Sequence, residues 1–183
     1  MLLLFAPAIE AAAPAPSIEI VAFGNFSAAP PSGWQAPAPG QETLADVVER
    51  PLPSLLAAGP DIVARPCAVF GLEYRLAGAG AWPPGLRVEV EHPPITAPDG
   101  RRAEVETYTV PTGPGVRFVG FAFDEPWEMV PGRWRIALRD DGRELAGEDF
   151  IVTVPPGADA GSCHGRPNAR GGARGGRGAI DPV

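Results

Sequence analysis

Arg133–Val154 reads RWRIALRDDGRELAGEDFIVTV, and its pattern decides the fold class. Trp134, Ile136 and Leu138 fall on one side of a two-residue alternation, opposite Arg133, Arg135 and Arg139. Such a strand keeps one face in an apolar core and the other in water. Asp140-Asp141-Gly142 then fits a three-residue hairpin loop, with Gly142 supplying the positive φ. The return strand runs from Arg143 to Val154 with Phe150, Val152 and Val154 facing one way, and Pro155-Pro156 ends it.

The same alternation recurs upstream. In Leu86–His92 (LRVEVEH), Leu86, Val88 and Val90 point inward, while Arg87, Glu89 and Glu91 point outward. In Cys67–Leu76, Phe70, Leu72, Tyr74 and Leu76 share a face opposite Glu73 and Arg75. Residues 18–26 read as a first strand through Ile18, Ile20 and Phe23, and Ala103–Val110 as a polar edge strand. Gly115–Phe123 is apolar on both faces, with Phe118 on one and Val119, Phe121 and Phe123 on the other. Pro98-Asp99-Gly100 is a turn signal, and Thr43–Arg50 reads as one or two helical turns begun at Thr43. About seven short strands separated by turns describe an all-β chain, an antiparallel immunoglobulin-like β-sandwich over 18–155. A proline-rich insertion over 28–60 interrupts it. Residues 1–16 read as a partial signal or disordered leader, and the Gly/Arg-rich residues 156–183 as a disordered tail.

Composition narrows function. The chain has 183 residues and a net charge of −7, and its 15 basic residues are all arginine. An acidic body repels phosphates, so nucleic acid is an improbable partner despite Arg166, Arg170, Arg174 and Arg177 in the tail. No run approaches the ~18 apolar residues of a membrane span. The apolar start Leu2–Ile9 before Ala11–Ala13 points to a periplasmic or secreted protein; with Met1 as the true start and no signal, the location is cytoplasmic.

Phe121–Leu138, FAFDEPWEMVPGRWRIAL, resembles a bacterial family of immunoglobulin-like domains of unknown function, number 3859. Asp124, Glu125, Pro126, Trp127, Glu128, Val130, Pro131, Gly132, Trp134 and Phe150 carry the likeness, together with Phe70–Tyr74 and His92-Pro93-Pro94. The resemblance implies a β-sandwich, frequently in exported proteins, and implies no catalytic residue. Physically the motif reads as scaffold. Pro126 fixes φ, Pro131-Gly132 suits a type II turn, and Trp127 and Trp134 each bury an aromatic body and seek a partner for the indole N–H.

Chemistry-bearing groups are sparse. Asp124, Glu125 and Glu128 read as a solvated acidic turn, with too few oxygens for calcium. His92 reads as a packing residue that ends a strand, with no second histidine in the folded region to share a metal. Gly161–Gly165 mimics a nucleophile elbow but lies in the tail. Cys67 and Cys163 read as one buried and one incidental thiol, with a disulfide as the lesser alternative. No catalytic, cofactor or metal site is expected. The expected function is a non-enzymatic accessory or protein-interaction domain, with Trp82, Phe118 or Trp127 at the contact surface and a protein as partner. The alternative is a carbohydrate- or small-ligand-binding module that stacks ligand on Trp34, Trp82 and Trp127.

Overall fold

Two sheets close over the alternating residues. The computed structural model describes residues 17–27, 33–35, 40–44, 47–49, 51–78, 81–158 and 163. A four-stranded sheet has the order β4-β1-β6-β9, built from β4 (Leu55–Ala58), β1 (Ser17–Phe26), β6 (Val69–Ala77) and β9 (Val116–Ala122). A five-stranded sheet has the order β5-β11-β10-β7-β8, from β5 (Asp61–Val63), β11 (Arg143–Thr153), β10 (Gly132–Asp140), β7 (Gly85–Thr96) and β8 (Arg102–Pro111). β2 (Gly33–Gln35) and β3 (Val47–Glu49) form a separate antiparallel pair. Among the described residues no helix is long and apolar enough to cross a membrane.

The core is where the alternation puts it. Phe70, Leu72, Leu86, Val88, Trp134, Ile136, Leu138 and Phe150 are fully buried. The Phe70 ring meets Phe150 at 5.2 Å, Phe123 at 5.4 Å and Trp134 at 5.5 Å between centroids. Aromatic pairs at this spacing add roughly 0.5–1.5 kcal/mol each beyond the area they bury. The Trp134 indole N–H donates to the Val130 carbonyl at 3.2 Å, so the largest core side chain leaves no orphan donor. On the outer face of the five-stranded sheet, Arg133, Arg135 and Arg139 pair with Asp149, Glu144 and Glu89.

Several local expectations are corrected. The strand begun at Leu86 continues through the prolines to Thr96, because a register shift between Glu91 and Ile95 absorbs residues that cannot donate to the ladder. Val47–Glu49 is a strand rather than part of a helix, in keeping with two adjacent β-branched valines. The last hairpin turns on two residues, Asp141 and Gly142, at φ 45° and 78°, so Asp140 pairs with Arg143. Paired positive φ values match the right-handed twist of the flanking strands. β5 joins β11 in parallel, so the second sheet is mixed. Residues 1–16, Ala45–Asp46 of the expected helical segment, Gly161-Ser162, and 164–183 with their four arginines lie outside the described residues.

Candidate functional site

The turn between β9 and β10 begins with Asp124-Glu125-Pro126. Pro126 opens a single 3-10 turn, η1 (Pro126–Glu128), where its fixed φ and missing N–H cost nothing. Glu128 is 2% exposed, and one of its carboxylate oxygens accepts the backbone N–H groups of Asp124 and Glu125, both at 2.8 Å. The expectation of a solvated Glu128 is therefore wrong. This carboxylate is a structural staple that satisfies two amide donors of the turn. Burial pushes its pKa up to about 8, against the pull of those two amides.

Two further titratable groups lie inside the sandwich. His92 on β7 and Glu106 on β8 are buried, and Nε2 of His92 stands 3.8 Å from a Glu106 oxygen. The Nδ1 atom lies 2.8 Å from the Pro93 carbonyl, so Nδ1 carries the ring proton and Nε2 is bare. His92 packs on Trp134 at 4.9 Å and near Phe121 at 6.4 Å. Burial holds its pKa below the usual histidine value. Burial raises Glu106 to about 7, opposed by the Leu44 backbone N–H and the Arg101 charge. Sequence reasoning missed Glu106, because a glutamate in a polar edge strand carries no mark of burial. Its one legible signal is its parity with Tyr108 and Val110. Among the described residues, no three His, Cys, Asp or Glu side chains converge as a metal site.

Cys67 and Cys163 are bonded to each other, with Cα atoms 4.8 Å apart, which overturns the reading of two separate thiols. Cys67 reaches this position through φ 69° just before β6, and the Cys163 N–H donates to the Asp124 carbonyl at 2.8 Å. The bond and that contact bring Cys163 onto the same turn that Glu128 staples.

The residues expected at a contact surface do not form one patch. Trp82 precedes the start of β7, and Trp127 sits on η1, which leads into β10 where Gly132 meets the Pro93 side chain. Both are half-buried against the core, and the Trp34 side chain lies outside the described residues. Phe118 is elsewhere, on the outer face of the four-stranded sheet. There Gly24, Gly71 and Gly120 stand side by side on three adjacent strands. The Phe118 ring lies over Gly71 and Gly120 and meets Phe26 edge-on at 4.8 Å. Phe26 in turn pairs with Leu55 of edge strand β4. Every β4 residue is exposed; Leu52, Leu55 and Leu56 keep 54%, 40% and 63% of their surface in solvent.

The edge of β9 is met from the opposite sheet. Tyr108 of β8 donates its hydroxyl to the Gly120 carbonyl at 3.1 Å and accepts the Gly120 N–H at 3.3 Å, which occupies β9 at that point. A shallow hollow of about 440 Å³ lies beside the β8 edge, lined in part by Leu44, Arg101 and Val105.

A family model described as a domain of unknown function, DUF3859, matches residues 18–152. The chain belongs to the DUF3859 family. The match begins in β1 and ends in β11, so it spans both sheets and includes the stapled turn. A crystal structure of an immunoglobulin-like protein from Pseudomonas aeruginosa is similar in fold, with a TM-score of 0.53 and 22% identity. The likeness covers 76% of this chain and 98% of that one, which gives the DUF3859 domain an immunoglobulin-like architecture. No curated protein matches the chain.

Proposed function

We propose that this DUF3859 domain is a non-catalytic interaction module of an exported protein, and that it engages a protein partner through the β4 side of its four-stranded sheet. The observation that carries the reading is the Pro51–Pro60 ribbon, which has no charged residue and exposes three leucines at its centre. Contiguous exposed apolar surface is the ordinary signature of a contact site. The half-buried Phe118 lies inward of that ribbon, packed on the buried Phe26. The flanking prolines and the four-residue length of β4 discourage strand addition, so contact through side chains is favoured. The buried titratable groups support a non-catalytic role, since they answer to backbone amides and to one another. Trp82 and Trp127, half-buried at separate places, do not favour a stacking platform for sugars.

Export is supported by the Cys67–Cys163 bond, since such bonds persist in oxidising compartments. Its test is thiol alkylation in intact native cells: both cysteines should resist until reductant is added, and immediate labelling of both contradicts export. The interaction reading is tested by affinity capture from native-host extract on the immobilised domain. Leu56→Glu should lose the captured protein while Arg143→Glu retains it, both variants keeping the wild-type melting temperature. Retention by Leu56→Glu overturns the proposed surface.

A further inference from the structure

Strand register brings His92 and Glu106 together. Glu106 of β8 pairs with Val90 of β7, and His92 stands two residues further along β7 on the same inner face. Residues in that diagonal relation are within reach of long side chains. The histidine side chain has no exposed surface, and that of Glu106 keeps 8%. One face of the ring is occupied by Trp134 of β10, and its Nδ1 proton is given to the Pro93 carbonyl. The Nε2 lone pair is buried and has no hydrogen-bond partner. Opposite it stands a Glu106 oxygen at 3.8 Å, roughly 1 Å beyond a hydrogen bond.

A bare ring nitrogen and an ionised carboxylate are both acceptors. Facing each other out of water, they leave one lone pair unsatisfied and one charge buried. A single proton between them removes the conflict. On the nitrogen, it creates two buried charges in an aromatic nest, at a heavy desolvation cost. On the oxygen, it creates a donor for Nε2 and buries no charge. We infer that Glu106 holds this proton and donates it to Nε2 of His92, which makes the two a neutral acid–imidazole latch between β7 and β8. A small rotation about the last glutamate torsion, which is a broad one, closes the distance.

The surroundings agree with an uncharged pair. Burial moves His92 down and Glu106 up to about 7, each toward its neutral form. The Arg101 charge, from the turn before β8, opposes the rise of Glu106, and Glu104 of β8 opposes the fall of His92. Glu128 on η1 and Tyr108 on β8 are the other acids coupled to Glu106, and burial raises both. Trp134 and Phe121, the rings beside His92, carry no charge. The latch is closed in mildly acid solution and opens as rising pH draws off its proton. That sense is the one a raised carboxyl pKa imposes on stability.

The test is NMR of the whole isotope-labelled chain at about pH 6, where a solvated glutamate is ionised. The Glu106 carboxyl carbon should resonate as the acid, and Nδ1 of His92 should carry the ring proton. Nε2 should be shifted from the bare-nitrogen position toward that of a hydrogen-bonded acceptor. Glu106→Gln, whose amide can donate to Nε2, should keep that shift, and Glu106→Leu should lose it. Unfolding the wild type in weak buffer at this pH should release about one proton more than unfolding Glu106→Gln. The wild-type carboxyl and nitrogen shifts decide alone if either variant fails to fold. An ionised Glu106, a protonated Nε2, or equal proton release from the two proteins overturns the proposal.

Discussion

The Phe118 ring lies so close across Gly120 that a β-carbon built on that glycine would stand 2.5 Å from the nearest ring carbon. The same added carbon would stand 2.3 Å from the Phe70 carbonyl oxygen on the neighbouring strand. Glycine is required here by close approach of the next strand as well as by the ring above it. The arrangement carries an aromatic side chain on an outer sheet face without leaving it fully exposed.

Gly120→Ala should therefore destabilise the domain by about 1–3 kcal/mol, the range for forced overpacking. Urea denaturation should show a lower midpoint with an unchanged slope. Removing the ring as well, in Phe118→Ala/Gly120→Ala, should not restore stability, because the Phe70 carbonyl still blocks the site. Full recovery in the double variant would place the entire constraint in the ring.

Loss of the Glu128 carboxylate leaves two amide donors of the turn without their acceptor. Glu128→Ala should cost roughly 2–4 kcal/mol, with the near-ultraviolet signal of Trp127 altered. Glu128→Gln keeps an acceptor oxygen in place and should cost less than half as much. Equal losses in thermal melts would mean that charge or packing, not hydrogen bonding to Asp124 and Glu125, holds the turn.

The interior acids give stability a definite pH slope. Glu106 and Glu128, raised from 4.5 to about 7 and about 8, bind more protons folded than unfolded between those values. Their contribution is complete below pH 4.5 and is lost as pH rises through the folded values, at up to about 1.4 kcal/mol per pH unit for each carboxyl. His92, held low, acts oppositely: the unfolded chain takes up its proton first as pH falls below 6.5. Glu19 and Asp149, lowered by Arg75 and Arg133, act only in more acid solution. Denaturation should therefore show stability falling from pH 5 to 8, with Glu106→Gln flattening the slope up to about pH 7. An unchanged slope in that variant would show that Glu106 does not titrate in this window.

Opening the Cys67–Cys163 bond frees a closed loop of nearly a hundred residues. Reduction, or Cys163→Ala, should lower stability by roughly 2–4 kcal/mol, chiefly by giving the unfolded chain more freedom. The two sheets remain paired without it, so far-ultraviolet circular dichroism should be unchanged at 25 °C. Loss of sheet signal on reduction would make the bond a requirement for folding.

Long elements were legible because period two survives over five or more residues, as in Leu86–Val90 and Trp134–Leu138. β4 and β5 were not, being too short to show a period and set between prolines. The core aromatics announced themselves by size and parity, whereas Glu106 and Glu128 did not. An acid's burial depends on amides that come near it only after folding. Sequence spacing likewise says nothing about whether two cysteines meet, so the Cys67–Cys163 bond stood only as the lesser alternative. Phe118 could be assigned to the outer face by alternation; the glycine row beneath it depends on register between strands.

The reading of the domain as an interaction module rests on the β4 patch, and site-specific photo-crosslinking in the native host addresses it most directly. A photoreactive residue at Leu56 should yield a discrete adduct with one protein, while the same residue at Arg143 on the far hairpin yields none. Adducts of equal strength from both positions, or none from Leu56 in cells where the folded protein is abundant, would contradict it.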